Sequence, residues 1–288
     1  MKNEQAQKTL WLLAALAAPV AHFSGCGWLT AGLTALAVLP LALLPKCWEG
    51  FSKPMALLQI LWIGIVAGSL LPGSAVYWPS DNDLAVPLTI LALAAWTGAA
   101  AAPRIGAVLA FCMALLAIPM GISGAAHLKW EWLAGAWAPF PAGLAAALLM
   151  ASLPVVGGGR KEGRLLGVGL LTVLAAALVQ SVISPQVAMR LEDAFYQTSR
   201  TLGYLEPVAA VGMTLGWYAM TDLLLQSAVK IGKNSGLHAL TASVLPVGTA
   251  AACILFRVQL HGLFYPVLSL FFWVLIPFLS GINFFEKR

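Results

Sequence analysis

The run GWYAMTDLLLQSA, residues 216–228, sets one carboxylate, Asp222, inside an apolar stretch that extends over 204–231. An ionisable side chain in hydrocarbon costs about 2.5–3.5 kcal/mol on insertion scales, so such groups face the interior of a helix bundle. Asp222 also has polar company. Steps of four residues give Thr214, Tyr218, Asp222, Gln226 and Lys230, and each step rotates only about 40° around a helix that turns about 100° per residue. The stretch therefore reads as a membrane-length helix with one slowly drifting polar stripe, packed against other helices or a water-filled path and away from lipid. The alternative is that Asp222, eight residues before Lys230 and thus about 12 Å from it along the axis, is solvated from that end or bonded to a neighbouring helix.

The rest of the chain has the same character. Apolar residues make up 60% and charged residues 9% of the 288, with a mean hydropathy of +0.88, outside the range in which a water-soluble domain hides its apolar side chains. A bilayer core of about 30 Å takes about 20 helical residues, because backbone groups there must satisfy one another. On that basis ten segments are expected, at 9–24, 28–45, 55–78, 84–102, 105–126, 140–156, 165–184, 204–231, 237–256 and 263–285. The expected fold is an all-α polytopic membrane bundle forming one domain over 1–288, with no separate soluble domain. The first segment also fits a signal peptide, with Lys2 and Lys8 before TLWLLAALAAPVA and a small-residue cleavage site at Pro19, Val20 and Ala21. Retention is favoured because the next apolar run begins at Trp28.

With the N-terminus in the cytoplasm, the inner loops collect Lys2, Lys8, Lys46, Lys53, Arg104, Arg160, Lys161, Arg164, Lys230, Lys233, Lys287 and Arg288. The outer loops keep Lys129, Arg190, Arg200 and Arg257. Twelve against four is the asymmetry expected of a bacterial inner-membrane protein in this orientation. The net charge of +5 is thus a topology signal. It does not form the dense basic face that nucleic acid requires.

Two connections are longer than turns. The outer stretch 185–203 places Val187, Met189, Leu191, Ala194 and Phe195 near one face of a short helix, with Arg190, Glu192, Asp193 and Gln197 largely opposite. That pattern predicts an amphipathic helix lying on the surface or capping the bundle. The stretch HLKWEWLAGAWAP, 127–139, sets Trp130, Trp132 and Trp137 at an interface. Gln180, Ser181 and Ser184 give the seventh segment a polar end, expected to be solvated.

Enzyme motifs are missing. No GxSxG surrounds a serine, no HExxH holds His22, His127, His238 or His261, and GGGRKEGR (157–164) lacks the order of a phosphate-binding loop. Cys26, Cys47, Cys112 and Cys253 form no CxxC pair and read as buried free thiols. Neither a metal nor a cofactor is expected. Transport, sensing or scaffolding remain. Transporters often bind substrate where a membrane helix is broken. The candidate breaks are Pro19 with His22-Phe23-Ser24-Gly25, and Pro141, Gly143, Ser152 and Pro154 in the sixth segment, although a plain kink is the better account of them, proline and glycine being ordinary in membrane helices.

Three stretches carry a family likeness. They are LAAPVAHFSGCGWLTAGLTALAVLPLALL (16–44), LKWEWLAGAWAP (128–139) and ISPQVAMRLEDAFYQTSRTLGYLEPVAAVGMTLGWYAM (183–220), the last with the acid Glu206 and then Trp217 within the eighth segment. Their order resembles the spore-germination permease family, the B-subunits of germinant receptors, within the amino acid, polyamine and organocation transporter superfamily. The chain departs from that pattern in its short first segment without a glycine-rich unwound motif, in the reduced connection KCWEGFSKP, and in LLMASLPVV, where the family has a Glu.

The resemblance implies two five-helix inverted repeats and a central cavity near helices one, six and eight. It implies a sensing subunit in the spore inner membrane beside an A-type subunit and a lipoprotein C-type subunit. The cavity candidates are His22, Ser24, Gly25, Ser152, Asp222 and Gln226, and the ligand an amino acid or similar small polar molecule. The alternatives are a proton-coupled amino acid transporter with Asp222 carrying the proton, and a scaffold that has lost its ligand site.

Overall fold

A computed structural model describes residues 51–78, 81–97, 129–134, 177–188, 190–191, 193–201, 204–258, 264–276 and 278–279, with isolated helical positions between 108 and 126. The described residues are helical or in turns, with no strand among them. Six helices carry the architecture: α1 (Lys53–Leu70), α2 (Ala85–Thr97), α3 (Ala194–Thr201), α4 (Glu206–Asn234), α5 (Ala239–Leu255) and α6 (Phe264–Leu270). Two are long and apolar enough to cross a membrane. One is α1 with its continuation to Tyr77, and the other is α4.

Local chemistry sets the ends of these helices. After Ser52 in an extended conformation, α1 starts with Pro54 in its first turn, where the missing N–H is no loss. At Pro72 the chain can no longer donate to the carbonyl four residues back, and it tightens into a 3₁₀ helix, Leu71–Tyr77. At the far end of α4, Gly236 adopts φ +68°. The Leu237 N–H bonds to the Gly232 carbonyl at 2.9 Å and the Gly236 N–H to that of Lys233 at 3.2 Å, a glycine-terminated stop that satisfies carbonyls otherwise left open. Two residues on, His238 Nδ1 accepts from the Leu240 N–H at 3.3 Å and opens α5. A tight helical hairpin results.

The end of α5 repeats that device with a different residue. The Val258 N–H reaches the Cys253 carbonyl at 2.9 Å, but the left-handed position is held by Arg257 at φ +49°. A side chain with a Cβ costs about 1–2 kcal/mol there. Arg257→Gly is accordingly expected to stabilise the fold by about 1 kcal/mol, read as a higher unfolding midpoint in detergent. An unchanged or lower midpoint would refute this account.

The centre is a packing of α1, α4 and α5, with α2 laid against α4. The contact between α1 and α5 is the most extensive and rests on two glycines one turn apart in GIVAG. A Cβ at Gly64 would stand 2.7 Å from the Pro246 carbonyl oxygen, and one at Gly68 would stand 2.5 Å from that of Ala250. The backbones are in direct contact, as small residues four apart permit. Trp62, on another side of α1, stacks on Phe272 with ring centres 4.6 Å apart. Phe272 belongs to a π-helical turn, Phe271–Leu275, that comes directly after α6.

The outside of this assembly is apolar as well. Trp96, Leu240, Val244 and Phe256 are exposed, as are Val108, Phe111, Leu115, Ile118 and Ile122, and α1 and α2 have no polar face. A helix apolar all round needs apolar surroundings on every side.

Two expectations are corrected. Residues 185–203 do not form one amphipathic helix. The described part consists of a single turn, Pro185–Ala188, and then α3. Ala194 and Phe195 face inward as predicted, but Val187 is exposed, and Asp193, assigned to the polar face, is 1% exposed. The physical reason is that Asp193 caps α3, its Oδ1 accepting the Tyr196 N–H at 2.8 Å, so the helix starts where the pattern assumed it was already under way. Gln180 and Ser181 are buried as well, not solvated. Of the cysteines, Cys253 is a buried free thiol; the other three lie outside the described residues.

Candidate functional site

Asp222 lies sixteen residues after Glu206 and twelve before Asn234, near the middle of α4 and fully buried. The stripe through it faces packed protein over most of its length. At the Glu206 end, Trp78 Nε1 donates to Thr214 Oγ1 at 2.7 Å. One turn on, the Tyr218 and Thr97 hydroxyls share a hydrogen bond between α4 and α2. The next turn is Asp222, whose Oδ2 accepts from Gln226 Nε2 at 2.5 Å. Lys230 is exposed at the other end.

The second carboxylate oxygen has a different situation. Asp222 Oδ1 is buried and has no hydrogen-bond partner among the described residues. No Lys, Arg or His among them forms an ion pair with Asp222; the described ion pair, Arg200 with Glu206 at 3.2 Å, is elsewhere. A buried acceptor without a donor is costly, and the arrangement gains most from a group that brings both a donor and positive charge.

A second polar network ties α3 to the bundle. Asp193 Oδ2 accepts from the Tyr77 hydroxyl, whose oxygen in turn accepts from Trp217 Nε1 at 3.1 Å. Tyr77 and Tyr196 meet edge to face with centroids 5.0 Å apart. The Tyr196 hydroxyl donates to Glu206 Oε1 at 3.1 Å, the same oxygen that Arg200 Nε approaches. Burial, and then the hydrogen bond to Glu206, raise the Tyr196 phenol above its ordinary value of 10.0, so it stays a donor through neutral pH. This network is a docking device in which both Asp193 oxygens are engaged, in contrast to Asp222.

Of the six cavity candidates, Asp222 and Gln226 are adjacent and bonded to each other. His22, Ser24, Gly25 and Ser152 lie outside the described residues. Trp130 is exposed, and Lys129 Nζ sits 4.2 Å over the Trp132 ring; Trp137 is outside the described residues.

The sequence reading missed three features. The small-residue spacing of GIVAG was legible as a helix-contact motif. Asp193 directly before AFYQ was legible as a helix start. Gln59 had no such signal; it is fully buried with neither amide atom partnered among the described residues. Its neighbour Ile60 comes within 3.5 Å of a Cβ placed at Gly232, about 15 Å beyond Asp222 along α4, so Gln59 belongs to a different depth.

No family model and no curated protein matches this chain.

Proposed function

We propose that the chain is a polytopic membrane bundle that binds a small, amine-bearing polar ligand at Asp222 and serves as the membrane-embedded sensing subunit of a germinant receptor. The observation that carries the reading is the buried Oδ1 of Asp222, which has no partner among the described residues, with Gln226 fixing the other oxygen. An ammonium group is the natural complement, since it supplies N–H donors and the missing positive charge. Intramembrane acids of this kind mark ligand or ion paths. The ten-segment pattern, the excess of inner-loop cations and the likeness to the germination permeases support the remainder: a multi-pass protein with a cytoplasmic N-terminus in the inner membrane of a spore, working with A-type and lipoprotein C-type subunits.

Ligand binding would act by shifting the balance between helix arrangements, which requires unequal affinity for the two states. The test is the melting temperature of the purified chain against a panel of amino acids and related amines. Wild type is expected to be stabilised by at least one of them. A hydrogen bond to a charged group is worth about 1.5–3 kcal/mol, so Asp222→Asn is expected to weaken that ligand by about ten- to a hundredfold while keeping the unliganded fold. A wild type indifferent to the whole panel, or an Asp222→Asn protein that responds as wild type does, would sink the reading. Deletion in a spore-forming host would separately test the germination role.

A proton-coupled transporter is the second reading. It is favoured by the lack of a basic partner for Asp222 among the described residues, because a proton can neutralise the carboxylate in place of a ligand amine. It predicts gradient-driven amino acid uptake by liposomes holding this chain alone.

A further inference from the structure

Lysines gather at the end of the bundle where α4 stops and α5 starts. Lys53 is the first residue of α1, and Lys230 and Lys233 belong to the last turns of α4. The two on α4 are helix-surface neighbours, with Cβ atoms about 5–6 Å apart at that spacing. Lys53 comes to the same end from another helix. Its Cε stands 3.7 Å from a Cβ placed on Gly236, whose N–H is bonded to the Lys233 carbonyl at 3.2 Å. Lys53, Lys230 and Lys233 are all exposed, and none forms an ion pair among the described residues. Segments 51–60 and 226–245 contain no Asp or Glu. The like charges therefore repel one another without an acid among the described residues to offset them.

The surface next to this charge is apolar. Leu58, early in α1, is 48% exposed, and Leu240 and Val244, one turn apart at the start of α5, are 68% and 58% exposed. A free phosphate would answer the charge and leave these side chains uncovered. A lipid with a negative headgroup answers both. We propose that Lys53, Lys230 and Lys233 form a docking surface for the phosphate of an anionic phospholipid, with its acyl chains running along the exposed apolar side chains of α1 and α5. The inference rests on the reading of the chain as a membrane bundle and is independent of the role given to Asp222.

The depth of the lysines suits a headgroup. Lys230 lies four residues before Asn234, the last residue of α4, or about 6 Å inside the helix end. A lysine at that depth lays its methylene stem along apolar surface and brings its ammonium to the level of the phosphates. Lys53 and Lys233 start nearer that level. The start of α1 also has no side-chain cap from Ser52, so a phosphate shared between Lys53 and the α4 lysines ties this end of α1 to the hairpin of α4 and α5. Anionic lipid is thus expected to hold the bundle together as well as to bind it.

The test is a titration of phosphatidylglycerol, with phosphatidylcholine alongside, into the full chain in a neutral detergent, with bound lipid counted by native mass spectrometry. Wild type is expected to retain phosphatidylglycerol in preference and to melt at a higher temperature with it. Lys53→Gln, Lys230→Gln and Lys233→Gln should each weaken retention by about fivefold, the share of one basic side chain near an anionic surface, and the triple variant should lose the preference. Lys129, Arg190 and Arg257 are exposed and assigned to the other side, so changing these to Gln together removes the same charge and should keep the preference. Glycerol 3-phosphate, which carries the phosphate without acyl chains, should not compete. Equal retention of the two lipids by wild type, an equal loss in the control, or competition by glycerol 3-phosphate would overturn the docking surface while the membrane reading stands. A chain that stays dispersed without detergent and retains neither lipid would overturn both.

Discussion

Alanine at Gly68 is expected to destabilise the bundle by about 3 kcal/mol, the upper end for forcing one extra methyl group into a filled contact. The added carbon would lie 2.5 Å from the Ala250 carbonyl oxygen, 2.8 Å from its Cα and 2.7 Å from Cys253 Cβ. Two of these three atoms are backbone and cannot swing aside, so α1 and α5 must separate. Separation also opens the neighbouring contact at Gly64 with Pro246. The intrinsic helix preference of alanine over glycine returns only about 1 kcal/mol. Gly248 provides the matched control. It is in α5, but nothing lies within 4 Å of the Cβ it lacks, so Gly248→Ala should be neutral or mildly stabilising. Unfolding midpoints for the two variants side by side would decide the matter, and equal midpoints would mean that α1 and α5 are not in backbone contact.

Removal of the Asp193 side chain carries an effect of similar size. Asp193→Ala deletes the acceptor for the buried Tyr77 hydroxyl and the cap on the Tyr196 N–H. A hydrogen bond to a charged group contributes about 1.5–3 kcal/mol and a helix cap about 1 kcal/mol, so a loss of about 3–4 kcal/mol is expected, concentrated in α3. Asp193→Asn should recover only the cap, about 1 kcal/mol, because its one amide oxygen can take the Oδ1 place beside the Tyr196 N–H while its NH2 group, a donor, stands where Oδ2 accepted from Tyr77. Protease cleavage within 193–201 is the direct readout: rapid in the alanine variant, intermediate in the asparagine variant and slow in wild type. Cleavage at the wild-type rate in Asp193→Ala would show that α3 is held by other contacts.

These variants also show how far the fold could be read from residue order. Hydropathy located the third segment at 55–78 against an observed Lys53–Tyr77, because an uninterrupted apolar run is its own signal. The eighth was placed at 204–231, whereas α4 runs on to Asn234. Its last turn is polar, and the stop is made by Gly236, which a hydrophobicity count does not register. The four-residue spacing of Thr214, Tyr218, Asp222 and Gln226 was legible as a stripe. Its partners were not. Thr97 and Trp78 come from elsewhere in the chain, 121 and 136 residues away, and no local pattern specifies them. The amphipathic reading of 185–203 failed for the opposite reason: it used one period across a stretch that Asp193 divides.

The π turn at Phe271–Leu275 has a bearing on how the C-terminal part of the chain can evolve. A wide turn accommodates one residue more than an α-helix would over the same rise, so the chain beyond it is rotated by about 100° relative to an unbroken helix. Ile276 faces the core and Phe272 meets Trp62 with that offset in place. A single deletion there would restore ordinary geometry locally and yet swing Ile276 off its seat. Substitutions should therefore be tolerated in this segment far more readily than changes of length.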